Sequence, residues 1–260
     1  VPYIPDGIGN STDRQRIPAV LIIPGGAFRR LVYNFEGEDV AKWLNSMGIA
    51  AFVLECRLPS DEHDNAEDVP LIDAMRAMRV IRGRAQEFGI DEAKIGVMGF
   101  SAGGFMAALL STAYESDVYA DYKYKDEYDK LSARPDFAVC SYPVISIDDC
   151  IEAGKRYMSE EQVLERISDS KAKILHKYNP DKLVRPDMPP VFICETDDDR
   201  TTLSENSVGF YMAARKAGVS AELHIFRTGG HGYGCGDDFA QTGEWKVLFT
   251  KWIKSIGIIS

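Results

Sequence analysis

Short hydrophobic runs alternate with longer segments of helical periodicity along most of the chain. The runs are rich in Val, Ile, Leu and Phe and lack polar alternation, as expected for strands buried on both faces of a parallel sheet. We predict strands at residues 19–23, 49–56, 95–100, 137–144, 191–195 and 221–226. This order predicts an α/β fold whose mainly parallel central sheet carries helices on both faces.

Three segments between these runs carry apolar residues at helical spacing. They are residues 38–47, 68–88 and 207–217. Each is followed by a glycine at the position of a left-handed C-cap, namely Gly48, Gly89 or Gly218. We therefore predict three helices that end at these glycines.

The segment 147–185 breaks the alternation because it is charged, helix-prone and strandless. We predict that it forms a helical insertion before the strand at 191–195, in the place where a cap would lie. With 260 residues, 45% of them hydrophobic, the chain is expected to form one domain over 1–260.

Charge and composition exclude several classes of partner. Forty acidic residues against thirty basic ones give a net charge of -10, which argues against nucleic acid. No run approaches the about 18 apolar residues that span a bilayer, so we expect a soluble protein without a membrane partner. The start lacks both Met and signal-peptide features, which leaves open a cytoplasmic location or secretion after removal of an N-terminal segment. Five cysteines without CxxC spacing support neither a disulfide scaffold nor a zinc site.

The strongest chemical motif lies at residues 99–104, which read Gly-Phe-Ser-Ala-Gly-Gly between a predicted strand and an apolar helical run. A serine on such a strand-to-helix turn adopts a strained backbone, and small neighbours let strand and helix approach each other. The helix N-terminus directs amide dipoles at the charge that develops during nucleophilic attack. Ser101 is therefore the predicted nucleophile.

A serine hydroxyl needs a neighbouring base, and four histidines are candidates. His63, His176 and His224 lie in an acidic loop, the helical segment and a predicted strand, where surface or packing roles are common. His231 lies in a glycine-rich loop after the last predicted strand, from which its ring can reach the carboxyl edge of the sheet. We predict that His231 is the base.

The acid that orients the histidine is expected after the strand at 191–195, because this fold places serine, acid and histidine in that order. The sequence there reads Glu-Thr-Asp-Asp-Asp over residues 195–199. Such a carboxylate fixes the tautomer of the histidine and stabilises its charged form. Spacing alone leaves Asp197, Asp198 and Asp199 open.

A loop that supplies an oxyanion hole is predicted after the first strand, where residues 23–28 read Ile-Pro-Gly-Gly-Ala-Phe. Backbone amides act as donors in such a loop, so glycines are needed for close approach. We predict that the donors are the amides of Gly26 and Ala27, together with that of Ala102 beside the nucleophile.

These motifs resemble those of small α/β-hydrolases of the acetylesterase, acetylxylan-esterase and feruloyl-esterase type, near the dienelactone-hydrolase and prolyl-oligopeptidase-like branches. The likeness covers nearly the whole chain and includes residues 24–26, 35–38, 70–73, 76–79, 96–104, 189–192 and 229–232. Laying residues 205–207 on the group's Glu-Asn-Ser motif places the catalytic acid at Asp198. The chain departs from the group at Glu195, Leu203 and Ala27, where the group usually has His, Pro and a third Gly.

The resemblance implies hydrolysis of short acyl esters, in particular acetyl esters of sugars from plant polysaccharides, through an acyl-enzyme. The expected partner is thus a small-molecule or oligosaccharide ester. Neither a cofactor nor a metal is required, and a homo-oligomer is left open. Four aromatics near the motifs are candidates to line the substrate pocket, although core packing suits them equally: Phe28, Tyr33, Phe100 and Tyr142. Alternative functions are a prolyl-oligopeptidase-type peptidase, a feruloyl esterase and a non-catalytic ligand-binding protein.

Overall fold

A seven-stranded sheet forms the centre of the computed structural model. The structure describes residues 1–7, 16–59, 64–120, 122–156, 158–159, 161–163, 173–236 and 240–260. The strands are β1 (Pro2–Tyr3), β2 (Ile17–Ile23), β3 (Ala50–Val53), β4 (Ile90–Phe100), β5 (Ala138–Ser141), β6 (Val191–Thr196) and β7 (Ala221–Phe226). Their order is β1-β3-β2-β4-β5-β6-β7, and every pair is parallel except β1 with β3. The predicted α/β class is confirmed.

Two of the predicted strands are shorter in the structure, and one strand was not predicted. The hydrophobic run at 137–144 forms a strand only over Ala138–Ser141, because Tyr142 takes a positive φ of 36° that turns the chain away. Similarly, β3 ends at Val53 although the apolar run continues. The two-residue edge strand β1 is too short to leave a periodic signal.

Helices cover both faces of the sheet. They are α1 (Asp39–Ser46), α2 (Val69–Gly83), α3 (Ala85–Phe88), α4 (Ala102–Ala113), α5 (Ile147–Lys155), α6 (Lys173–Lys177), α7 (Ser204–Lys216) and α8 (Ala240–Ser255). A π-helical turn at Asn34–Glu38 precedes α1, and short 3-10 turns lie at Asp117–Tyr119, Glu127–Lys130 and Pro180–Leu183. The predicted C-cap glycines Gly48, Gly89 and Gly218 have φ of 74°, 67° and 81°. None of the helices in the described residues is long and apolar enough to cross a membrane.

The core is divided between the two faces of the sheet, which explains the absence of polar alternation in β2. Leu21 belongs to the cluster that packs under α2 and α4. Its neighbours Val20 and Ile22 belong to the cluster on the other face, with Trp245 and Phe249 of α8. Because both faces of β2 are buried, every position of the strand favours an apolar side chain.

The predicted helical insertion lies partly outside the described residues. Between 147 and 185 the structure describes α5, α6 and the turn at Pro180–Leu183, and these described parts contain no strand. They precede β6, as the sequence predicted. The extent of the insertion and the single domain over 1–260 stay predictions.

Candidate active site

Ser101 occupies a sharp turn between β4 and α4. Its backbone has φ 54° and ψ -118°, a conformation that L-residues rarely adopt, and its N–H donates to the carbonyl of Ser141 at 3.0 Å. A Cβ on Gly99 would lie 1.9 Å from the carbonyl oxygen of Gly103, and one on Gly103 would lie 1.9 Å from that of Ile23. The glycines on both sides of Ser101 are therefore required by close backbone contact.

The ring of His231 lies against this turn. Its Nε2 is 2.8 Å from Ser101 Oγ, so the structure brings together the two residues that the sequence singled out. The flanking Gly230 and Gly232 have φ of 63° and 79°, which fits a loop that folds back over the sheet edge. By contrast, His224 contacts Glu222 within β7, His176 is exposed on α6, and His63 lies outside the described residues.

The carboxylate on His231 belongs to Asp199, which corrects the prediction of Asp198. Asp199 Oδ2 lies 2.7 Å from His231 Nδ1. Asp198 is exposed, and its Oδ1 accepts the N–H groups of Gly229 at 2.9 Å and Gly230 at 2.8 Å. It thus fastens the loop that carries His231 without touching the ring.

The way the chain leaves β6 decides between the three aspartates. Asp197 is exposed and its N–H donates to Phe226, which continues the pairing with β7 by one residue. The chain then turns, and the N–H of Asp199 donates to Thr196 at 3.3 Å. This turn directs the third aspartate, and not the second, inward.

Asp199 is held by a dense set of donors. Its Oδ1 accepts the N–H groups of Thr201 at 2.7 Å and Thr202 at 3.0 Å, and the Thr202 hydroxyl lies 3.0 Å from Oδ2. Burial raises the pKa of Asp199, but the hydrogen bond and charge of His231 and the two amides outweigh it, so the pKa is lowered. The two threonines after the aspartate were the available sequence signal, since an Asp side chain commonly accepts amides two and three residues on.

Glu36 is a site residue that the chemical reasoning from the sequence missed. It is 3% exposed, and it accepts the N–H of Gly25 at 2.8 Å and the hydroxyl of Tyr142 at 2.9 Å. Burial raises its pKa, against the opposing effects of Tyr142, Gly25 and the charge of His231. A Cβ on Gly25 would lie 2.7 Å from Glu36 Oε2 and 2.9 Å from Ser101 Cβ, so the three groups are in close contact.

The loop after β2 turns directly beside Ser101. Gly26, Ala27 and Phe28 have φ of 131°, 55° and 56°, and a Cβ on Gly26 would lie 2.1 Å from the carbonyl oxygen of Arg30. Gly26 and Ala27 line the same cleft as Ser101. Among the hydrogen bonds of the described residues, the amides of Gly26, Ala27 and Ala102 donate to no acceptor. These three N–H groups are therefore available as donors.

The cleft over Ser101 and His231 has a volume of about 500 Å³. Its rim includes Arg30, Thr201 and the exposed ring of Phe35.

The four aromatics predicted for the substrate pocket are not among the residues that line this cleft. Phe100 and Tyr142 have no exposed surface, so their prediction is wrong. Phe28 packs edge-on against Phe105 and lines a small cavity behind the loop, while the Tyr33 hydroxyl lies 3.2 Å from that of Tyr3. Core packing accounts for these contacts.

The chain is similar to a known protein family and to a known esterase. The family model BD-FAE matches residues 8–213. An acetylxylan esterase of Xylanibacter ruminicola is 31% identical over 240 residues, which are 92% of this chain and 45% of that protein. The chain thus spans less than half the length of this relative.

Two solved structures are similar to this chain over its whole length. An acetyl ester-xyloside bifunctional hydrolase from Caldicellulosiruptor lactoaceticus is 38% identical, with a TM-score of 0.82 over 100% of this chain and 88% of that one. The propionate-bound esterase Est2 of Thermogutta terrifontis is 27% identical, with a TM-score of 0.75 over 100% of this chain and 89% of that one.

Proposed function

The chain belongs to the BD-FAE family and has the α/β-hydrolase fold, and from this premise we propose that it is a serine esterase acting through an acyl-enzyme. One observation carries the proposal. Ser101, His231 and Asp199 form a continuous chain of contacts, 2.8 Å from Oγ to Nε2 and 2.7 Å from Nδ1 to Oδ2. This is the geometry that a hydroxyl nucleophile needs for activation.

In the proposed reaction, Ser101 Oγ attacks the ester carbonyl while His231 Nε2 takes its proton. Asp199 accepts the Nδ1–H of His231, fixes the tautomer and stabilises the positive charge that the ring acquires. The proton then passes from His231 to the leaving alcohol oxygen. Water repeats the sequence on the acyl-enzyme and releases the carboxylic acid and Ser101.

In the proposed reaction, backbone amides around Ser101 stabilise the negative charge of the tetrahedral intermediate. We assign this role to Gly26, Ala27 and Ala102, since the first two line the cleft and Ala102 begins α4. Amides that are fixed before the reaction stabilise a developing oxyanion without reorganisation. Glu36 contributes indirectly, because it holds Gly25 beside Ser101.

For the substrate we propose acetyl esters on xylan-derived sugars. One similar protein is named an acetylxylan esterase, and another is named an acetyl ester-xyloside bifunctional hydrolase. The side chains of Arg30 and Thr201 at the rim can form hydrogen bonds with the hydroxyl groups of a sugar. A feruloyl ester is the alternative acyl group, and the exposed ring of Phe35 at the rim is the feature that favours it.

The experiment that tests this proposal compares specificity constants for acetylated xylo-oligosaccharides, methyl ferulate, p-nitrophenyl acetate and a proline-containing chromogenic peptide. We expect the acetylated oligosaccharides to give the highest kcat/KM and the Ser101→Ala variant to be inactive on all of them. A preference for methyl ferulate would show that the acyl group of the substrate is feruloyl and not acetyl. Cleavage of the peptide alone would overturn the esterase proposal.

A further inference from the structure

Glu195 is a second carboxyl group beside the acid of the triad. It is the penultimate residue of β6 and is 0% exposed. It accepts the N–H of Thr196 at 2.9 Å and the hydroxyl of Ser207 at 3.3 Å, and its carboxyl group is in hydrogen-bond contact with that of Asp199. Glu195 and Asp199 are thus two buried carboxyl groups in contact with each other.

The described residues place no positively charged side chain next to Glu195. The titratable groups that interact electrostatically with Glu195 are Asp199, Cys194 and Tyr233, and none of these is a cation. The ion pairs of the described residues give Glu195 no Lys, Arg or His partner. Two adjacent buried carboxylates cannot both be ionised without large cost.

The surroundings decide which of the two carboxyl groups keeps the proton. Burial, and then the negative charge of Asp199, raise the pKa of Glu195 well above its ordinary value. Asp199 is stabilised as the anion by His231 and by two backbone amides, whereas Glu195 accepts one backbone amide and one hydroxyl. These contacts favour the proton on Glu195 over Asp199.

We infer that Glu195 is a positioning residue that acts as a neutral carboxylic acid and donates its proton in a hydrogen bond to Asp199, thereby holding the carboxylate that faces His231. This inference rests on the proposed function, because it assigns Asp199 to the triad. A hydrogen bond from a carboxylic acid to a carboxylate is short and strong. It also makes Asp199 a weaker base than an isolated carboxylate would be.

The hydrogen bonds of Thr202 are consistent with this arrangement. Its hydroxyl has a single proton but lies near two acceptors, Asp199 Oδ2 at 3.0 Å and the carbonyl of Tyr142 at 3.3 Å. When Glu195 donates to Asp199, the Thr202 hydroxyl is free to donate to Tyr142.

The first test compares Glu195→Gln with Glu195→Leu. Glutamine keeps a neutral donor towards Asp199 and an oxygen for Thr196, so we expect kcat within about threefold of wild type. Leucine has a similar size but no donor, so we expect kcat to fall about 10- to 100-fold with little change in KM. We also expect the pH profile of kcat/KM to move to higher pH, because a more basic Asp199 stabilises the charged form of His231. Equal effects of the two substitutions would overturn the inference.

The second test needs no activity and remains decisive if the leucine variant does not fold. Native Glu195 retains a proton that the unfolded chain releases above about pH 4.3, so wild type loses stability as pH rises while Glu195→Gln does not. We expect the Tm of Glu195→Gln relative to wild type to rise by about 2 °C or more between pH 5 and 8. The control Glu92→Gln removes an exposed carboxylate on β4 and should show no such trend.

A flat or falling Tm difference for Glu195→Gln would show that Glu195 is ionised and would overturn the inference. Failure of the proposed function looks different. In that case the wild-type protein would hydrolyse no ester, whatever the Tm difference.

Discussion

The carboxyl group of Glu36 accepts the N–H of Gly25 at 2.8 Å and so links the π-helical turn before α1 to the loop beside Ser101. Its other oxygen accepts the hydroxyl of Tyr142, which in turn accepts the N–H of Gly234 at 3.0 Å. Two buried side chains, Glu36 and Tyr142, thus connect the loop beside Ser101 with the loop that follows His231.

We therefore expect Glu36→Ala to impair both stability and activity. The substitution leaves the buried N–H of Gly25 without an acceptor, and each unpaired buried group costs about 1–3 kcal/mol. Activity should fall at least about tenfold, because the loop beside Ser101 loses its anchor. The matched control is Glu38→Ala, which removes an exposed ion pair with Lys42 in the same turn and should leave stability nearly unchanged. Urea unfolding and ester hydrolysis measure the two effects, and equal behaviour of the variants would contradict the role of Glu36.

The different roles of Asp198 and Asp199 give a second prediction. Asp199→Asn should lower kcat about 10,000-fold, because the amide no longer stabilises the charged ring of His231. Asp198→Asn keeps a carbonyl oxygen that can accept the amides of Gly229 and Gly230, so we expect a change of less than about tenfold. Steady-state kinetics on p-nitrophenyl acetate distinguish the two. A larger loss for Asp198→Asn would restore the original prediction from the sequence.

Gly26 should tolerate no side chain without loss of activity. In Gly26→Ala the new Cβ would lie 2.1 Å from the carbonyl oxygen of Arg30, so the loop that presents the amides of Gly26 and Ala27 must move. We expect kcat/KM to fall about 100-fold or more. Gly48→Ala is the matched control, since Gly48 also has positive φ but meets no atom within 4 Å. It should cost stability, about 1–3 kcal/mol of strain, and leave kcat/KM unchanged.

The lowered pKa of Asp199 also leads to a prediction of how the stability of the native state changes in acid. Its pKa is lowered in the folded protein, so its contribution to stability is present above the pKa of an unfolded aspartate, about 3.9, and is lost as pH falls through the folded value. The Tm advantage of wild type over Asp199→Asn should therefore shrink between about pH 5 and pH 3. Calorimetry across this range measures it, and an advantage that grows in acid would be inconsistent with a lowered pKa.

Much of the architecture could be predicted because it depends on local patterns. The positions of most strands and of the C-cap glycines are encoded in hydrophobic runs and single residues. Ser101 and His231 could be singled out for the same reason, since each lies in a glycine-rich motif directly after a strand. The structure then placed their side chains 2.8 Å apart.

The parts that could not be predicted depend on contacts between distant segments. Three consecutive aspartates look alike in sequence, and only the turn after Thr196 separates Asp199 from Asp198. Glu36 binds Tyr142, a partner 106 residues away, so the resemblance over residues 35–38 does not by itself give Glu36 a role. Phe100 and Tyr142 lie near the motifs in sequence, yet they pack inward, because proximity along the chain does not fix which side of a strand a ring occupies.

The central claim is that His231 activates the hydroxyl of Ser101, and covalent labelling with a fluorophosphonate probe tests it most directly. We expect one adduct per chain, located on Ser101 by peptide mapping, absent in Ser101→Ala and formed at least about 100-fold more slowly in His231→Ala. A folded wild-type protein that stays unlabelled, or a Ser101→Ala variant that labels equally, would contradict the claim.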